Sequence, residues 1–367
     1  MRLRKFTALL FFFLVLSSSA CASDVYDSEP SFSPYYAGSV KSSVLYDALQ
    51  EVNYIRWLVG VPSSVTLDSE FTRKAQHGAV LLDAIDTLTH TPGRPSDMDT
   101  SFYELGYDAT SHGNIAVAKI LYSDGREEGN MTLSYSTKLY MDDSDESNIS
   151  ALGHRRWLMN PGMTRTGFGI STRKGYAVTY VIDESGSSTW PIADEFITWP
   201  ANKHPHPLTY FDAETAWSVI LNNSIFSNAT TSAASVTLTR VSDGRTWNFT
   251  GSGSDGYYTV NTQGYGSGQC IIFRPSGVSA YNSGETWQVR ISGLTRKNGG
   301  NGTISFSVTF TSETTGYEEE RPSTGTYSRN DGSTGGGCSS GGAALLFVCV
   351  LPMALGIQRR KYFCAGR

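Results

Sequence analysis

Gly153-His154-Arg155-Arg156-Trp157-Leu158-Met159-Asn160-Pro161 is the stretch on which the reading of this chain turns. A second histidine stands upstream in Leu88-Thr89-His90-Thr91-Pro92, and the two are among only six histidines in 367 residues. Between them lie Asn114, in His112-Gly113-Asn114-Ile115-Ala116, and an acidic run, Asp142-Asp143-Ser144-Asp145-Glu146. Imidazoles, an amide and carboxylates converging on one cleft would have the composition of a metal or acid/base site. The plainer alternative is a polar groove in which both histidines are hydrogen-bonded structural residues. His90 ends a helical pattern just before Pro92, and Gly153 lets the backbone ahead of His154 approach a neighbouring element. The two rings are therefore expected to meet in the fold, with Asn114 beside them.

Outward from these histidines the pattern is helical. Val44, Leu45, Ala48, Leu49, Val52, Ile55 and Leu58 recur at helical spacing and stop at Gly60 with Pro62 beyond. Asp68 is a good N-cap for a second helix carrying Phe71, Ala75, Ala79, Leu82 and Ile85 on one face. Ser101 to Leu105 predicts a short helix, the Ala-rich run Ile115 to Leu121 a helix or its start, and Thr132 to Tyr140 another helix. Arg165 to Ile170 leads into a strand-like run, Tyr176 to Ile182. Residues 23–42 read as a loose leader and 186–207 as a Trp- and Pro-containing linker in which His204 and His206 are read as ordinary polar residues, the alternative being a surface metal clip. From 208 to 312 the style changes to short β-rich runs separated by Gly, Asn, Asp and Ser turns, at the spacing of an immunoglobulin-like sandwich. Trp217, Trp247, Tyr257, Tyr258 and Trp287 are read mainly as its core, the alternative being a carbohydrate platform. The fold class is α+β, helices packed on a small sheet followed by an all-β sandwich.

The ordered set Asn53, Arg56, Asp68, Ala75, Gln76, Ala79, His90, Gly106-Tyr107, Asn114-Ile115-Ala116, Gly153-His154-Arg155 and Gly167-Phe168-Gly169 resembles the bacterial branch of the CAP superfamily. That superfamily comprises cysteine-rich secretory proteins, antigen 5 and pathogenesis-related proteins. The resemblance covers residues 43–185 and implies an α-β-α sandwich with a cleft whose usual tetrad is two His and two Glu, able in some members to hold zinc. Carried over residue by residue, His90 and His154 match the two histidines and would be the metal ligands. The first glutamate's Gly-Glu-Asn motif reads His112-Gly113-Asn114 here, so that carboxylate is missing. The second points to Asp143. With His112 as a substitute, the set could make a three-ligand zinc site with an open position, or be a degenerate site.

Composition bounds the function. Only 17% of residues are charged while Gly, Ser, Thr and Tyr are plentiful, the look of an exported β-containing protein. Residues 1–22 read as a signal peptide, with Arg2, Arg4 and Lys5, an apolar run from Leu9 to Leu16, and Ala20-Cys21-Ala22. Residues 313–342 read as a flexible stalk and 343–367 as a sorting or anchor segment, in which Ala343 to Ile357 precedes Arg359-Arg360-Lys361. The tail resembles the glycine-cysteine sorting signals of the synergistete group, and a plain short membrane anchor is the alternative. The two ends hold seven basic residues and no acid, so without them the net charge moves from −5 to −12. A body that acidic excludes nucleic acid as the partner. Of five cysteines only Cys270 lies outside the terminal signals, which excludes a disulfide framework.

Other motifs fail. Asp143 to His154 has the letters of a calcium loop but carries Asn148 at its sixth position and His154 at its twelfth, where Gly and Glu are needed. Gly251 to Gly256 matches a dinucleotide fingerprint by letter, yet strand residues follow it. The pattern Gly-x-Ser-x-Gly occurs by letter at Gly337-Cys338-Ser339-Ser340-Gly341, but in the Gly/Ser-rich stalk and not between a strand and a helix, so it is no nucleophile elbow. The expectation is a protein at a bacterial cell surface whose cleft binds an extracellular ligand or cell-envelope component without catalysis. The rival is a zinc-dependent hydrolase of peptide or cell-envelope substrates with Asp143 or Glu146 as base.

Overall fold

The computed structural model describes residues 25–183, 190, 194–206, 210–266, 268–300 and 302–312, with the backbone of 361–364. The signal peptide, the stalk at 313–342 and all but that short piece of the tail lie outside the described residues.

The loose leader expected at 23–42 is folded from residue 25 onward. β1 (Tyr26–Ser28) pairs with β4 (Ser39–Val40), and β2 (Ser31–Phe32) with β3 (Tyr35–Tyr36). Tyr26 pins the segment to the body: its hydroxyl donates to Ile170 O at 3.0 Å and accepts from the Thr172 N–H at 3.0 Å.

The helical periodicities expected in the first domain become α1 (Ser42–Leu58) and α2 (Ser69–Ile85), with β5 (Thr66–Leu67) between them. Asp68 caps α2 as its chemistry predicts, accepting from the N–H groups of Glu70 at 2.9 Å and Phe71 at 3.0 Å. α3 (Thr100–His112), β6 (Gly113–Leu121), β7 (Glu127–Gly129), α4 (Leu133–Asp142), α5 (Gly153–Leu158), β8 (Arg165–Ser171) and β9 (Tyr176–Tyr180) complete the unit. The segment Ile115 to Leu121, expected as a helix or its start, is part of strand β6. A short continuous apolar run fits a strand buried on both faces as well as a buried helix, and alanine content tipped the balance the wrong way. Here both faces are covered. Ile115 and Val117 pack with Ala75, Ala79 and Leu82 of α2 and Ala109 of α3. Ala116 and Ala118 face the opposite core with Val52 of α1 and Tyr140 of α4. The alternation gives an α-β-α sandwich around the strand order β6-β9-β8-β5. The backbone of β20 (Lys361–Cys364) lies antiparallel on β6.

Gly169 explains how closely α2 approaches the sheet: a Cβ there would stand 2.2 Å from the Ala75 carbonyl. Gln76 then bridges the layers, its side chain accepting from the Ile170 N–H at 2.9 Å and donating to Ala37 O at 2.8 Å.

Beyond residue 190 two sheets face each other. One has β10 (Phe196–Trp199), β12 (Trp217–Leu221), β17 (Cys270–Pro275) and β16 (Gly256–Asn261) in that spatial order. The other runs β11 (Lys203–Pro205), β19 (Ile304–Thr311), β18 (Thr286–Ser292), β13 (Ser235–Arg240), β14 (Thr246–Thr250) and β15 (Gly253–Ser254). The linker expected at 186–207 is thus corrected: β10 and β11 belong to the sandwich, β11 pairing parallel with β19. Prolines flanking Trp199 and His204 suggested irregular chain, but edge strands tolerate proline. Trp199, Trp217, Trp247 and Trp287 are fully buried in the core between the sheets. His204, expected in a polar linker, is 1% exposed there, edge-on to Trp199 at 4.7 Å.

One hydrophobic cluster runs without a break from α1 and α4 through Leu158 and Met159 into Trp217, Ile271 and Phe273. The two domains therefore share a core.

Candidate functional site

Each half of the Gly153–Pro161 stretch does something different. His154 sits in the first turn of α5, just after Leu152, which holds a left-handed φ of 50°. α4 ends at Asp143, also left-handed at φ 47°, a conformation Asp tolerates better than most residues. That turn aims the Asp143 carboxylate back at α5, where Oδ1 stands 2.8 Å from His154 Nδ1 and Oδ2 accepts from the Arg155 N–H at 3.2 Å. Both side chains are buried, so the pair is shielded from solvent.

His90 arrives from the loop after α2. Its Nδ1 lies 2.7 Å from Thr110 O, and since a carbonyl only accepts, Nδ1 carries the hydrogen. The rings of His90 and His154 are 6.4 Å apart with 22° between their planes. Asn114, at the start of β6, donates to His154 O at 2.9 Å, and Tyr140 stacks on His154 at 5.6 Å while donating to Asn114 O at 3.0 Å. Four of the five expected site residues thus come together: His90, Asn114, Asp143 and His154.

His112 does not join them. Its ring packs on Tyr180 at 5.9 Å, its Nδ1 lies 2.9 Å from Asp108 O, and it does not line the cleft. Being the last residue of α3, it follows the helix and not the β6 edge that carries Asn114. Asp143 is also not a third ligand, because its carboxylate faces the nitrogen of His154 that a metal would not use. With both Nδ1 atoms hydrogen-bonded, at most the two Nε2 nitrogens of the pair could serve as ligands. Among the described residues no three His, Cys, Asp or Glu side chains group as metal ligands. The three-ligand zinc set does not fit the described site.

The cleft has a volume of about 80 Å³. Its floor is His90, Asn114 and His154, and the 145–151 turn supplies Asn148. Trp157 of α5 and two residues of the second domain, Gln263 and Tyr265, finish the wall. Those last two were invisible in the sequence. They sit in a glycine-rich loop between β16 and β17 that reads as an ordinary sheet turn, more than 100 positions from His154. The one local hint is Gly153: a Cβ there would stand 2.9 Å from the Tyr265 ring.

Arg155 and Arg156 turn away from the cleft into the joint between domains, and both are fully buried. Arg155 donates to Met141 O at 2.7 Å, Ala216 O at 2.7 Å and Ser218 Oγ at 3.2 Å. Burial pulls its pKa down to about 10, which still leaves it charged at neutral pH. Arg156 donates to Asn261 Oδ1 at 2.9 Å, to Gln263 O at 2.5 Å and to the Gly268 carbonyl. Asp142 beside them has its pKa raised by burial, with Arg155 opposing the shift. Arg56 serves similarly inside the first domain, donating to Leu158 O and Asn160 O at 2.8 Å each. Cys270 lies buried in the sandwich with its thiol pKa pushed up, the opposite of an activated nucleophile.

A model of the CAP family, the cysteine-rich secretory protein family, matches residues 49–183. These residues are a CAP domain. The match spans the α-β-α sandwich and every residue of the His90–His154 cleft except the two from the second domain. No curated protein matches the chain. Among solved structures, the archaellum periplasmic stator protein complex FlaF and FlaG from Sulfolobus acidocaldarius is 21% identical over 25% of this chain and 75% of that one. Its TM-score is 0.16, too low to carry an argument.

Proposed function

We propose that this chain is an exported bacterial cell-surface protein whose CAP domain binds an extracellular ligand or cell-envelope component through the His90–Asn114–His154 cleft, without catalysis. The observation that carries the reading is the position of Asp143: its carboxylate is spent on His154 and the start of α5, and among the described residues no acidic side chain lines the cleft. Glu146, the other candidate base, is exposed and does not line the cleft. The β domain reads as immunoglobulin-like. The order β10-β12-β17-β16 against β11-β19-β18-β13-β14 supports this, having four strands in one sheet and an extension beyond the central three in the other. Export and attachment follow from the terminal signals in the sequence, with the tail as the membrane attachment.

A hydrolase is the second reading because a carboxylate held against an imidazole, as Asp143 is against His154, is an arrangement that raises the basicity of the ring. The deciding experiment screens the intact protein for binding and turnover with peptide and peptidoglycan fragments, with and without zinc, beside His154→Ala. Saturable binding lost in the variant, without turnover, is the expected result. Zinc-dependent turnover abolished by the same change would establish the enzyme and overturn the binding reading.

A further inference from the structure

We propose that the cleft takes an uncharged, hydroxyl-bearing ligand, a saccharide ring, and that Tyr265 and Gln263 of the β domain are contact residues, so that the site needs both domains. This rests on the binding reading above.

Among the described residues, fourteen line the cleft and none of them is Asp, Glu, Lys or Arg. A charged ligand would give up its hydration and meet no counter-charge, whereas a neutral one loses far less. The polar groups that are present are imidazoles, primary amides and hydroxyls, from His90, His154, Asn114, Asn148, Ser147 and Gln263. As a set they both donate and accept, the complement of a ring of hydroxyl groups. The remaining wall is aromatic and apolar, with Trp157, Tyr265, Val181 and Ile182. A sugar ring has the matching duality: hydroxyls around its edge and a C–H face that packs on aromatic rings. The cavity of about 80 Å³ admits the edge of one such ring and leaves the rest of a chain outside.

Tyr265 is held in place before any ligand arrives. Its ring edge occupies the space left by the missing side chain of Gly153, and the Arg156 guanidinium lies 5.0 Å from its centroid. The same guanidinium binds the carbonyls of Gln263 and Gly268, fixing the loop on both sides of the tyrosine. A wall residue already ordered costs little entropy to use.

The test is calorimetry on the intact protein with five tetramers: chitotetraose and maltotetraose as neutral saccharides, deacetylated chitotetraose as cation, tetragalacturonate as anion, and tetra-alanine as peptide. At least one neutral saccharide should bind, with the charged saccharides and the peptide weaker by about tenfold or more. Tyr265→Ala should weaken that binding about tenfold and Tyr265→Phe by less than about threefold. Gln263→Ala, which removes a side chain but leaves the carbonyl held by Arg156, guards against a disturbed joint and should also weaken it. Binding of only the charged probes or only the peptide, binding by none of them, or saccharide binding that ignores both Tyr265→Ala and Gln263→Ala would overturn the inference. If His154→Ala abolishes binding while the loop variants do not, this inference falls and the CAP cleft stands. If none of the three matters, both fall.

Discussion

Two nearly buried histidines stand on either side of the domain joint, and their surroundings could hardly differ more. His154 is 4% exposed, with its ring against a carboxylate and a cleft and its carbonyl accepting from the Asn114 side-chain amide. His204 is 1% exposed and faces Trp199, Phe211 and Phe310 edge-on. Its Nδ1 accepts from the Ala201 N–H at 3.3 Å, and its Nε2 has no hydrogen-bond partner among the described residues. Burial alone therefore says little about a histidine's role: a carboxylate fixes the tautomer of His154 and its ring lines a cleft, whereas His204 is enclosed by aromatic rings.

The largest expected effect tests the aromatic side of this contrast. Burial drives the His204 pKa from 6.5 down to about 3, with His206 adding to the shift. The folded state thus keeps the neutral ring while the unfolded chain takes up a proton below pH 6.5. Stability from this group is complete above pH 6.5 and is lost as the pH falls toward 3. At 1.36 kcal/mol per pH unit, the protein should lose roughly 3 kcal/mol between pH 6.5 and 4 that His204→Phe does not lose. Urea unfolding at several pH values measures it. Parallel curves for protein and variant would show that the ring is protonated or solvated in the fold.

The contrast also shows what the sequence could and could not reveal. α1, α2 and the Asp68 cap were legible because apolar spacing and capping chemistry are local. His90, Asn114 and His154 were legible because the resemblance fixed their order. β6 was misread because a strand covered on both faces has no alternation to detect. β10 and β11 were hidden by prolines that edge strands accommodate. The roles of Arg155, Arg156 and Tyr265 could not be read at all. Their partners, from Ala216 to Gly268, lie in a domain whose placement only the fold decides. An arginine pair in a helix reads as surface charge until a ring of carbonyls encloses it.

The middle effect tests the carboxylate side. In Asp143→Asn the amide oxygen can still accept from His154, but the Arg155 N–H then meets an NH₂ group in place of Oδ2. One buried donor without an acceptor costs about 2 kcal/mol. Chemical unfolding at pH 7 should show that loss. A change below about 0.5 kcal/mol would mean that the carboxylate does not set the position of His154 and that the two histidines are less different than their surroundings imply.

The smallest effect supplies a control of opposite sign. Glu51 on α1 is partly buried, and its Oε1 accepts from Ser134 Oγ of α4 at 2.9 Å. Burial raises its pKa from 4.5 to about 7, and the Ser134 bond only partly offsets this. An acid shifted upward favours the protonated form in the fold, so its stabilising contribution is complete below pH 4.5 and is lost as the pH climbs to 7. His204 behaves the other way round. The full shift would correspond to about 3 kcal/mol, but solvent reaches part of the side chain, and about 1 kcal/mol is the discounted expectation. Glu51→Gln keeps an acceptor for Ser134 and removes the titration. The variant should match the parent at pH 4 and exceed it by about 1 kcal/mol at pH 8. Combined with His204→Phe, the two changes should flatten the stability profile at both ends, since the sites lie in different domains with no shared partner. A double variant whose profile departs from the sum of the singles would show that titration in one domain is felt across the shared core.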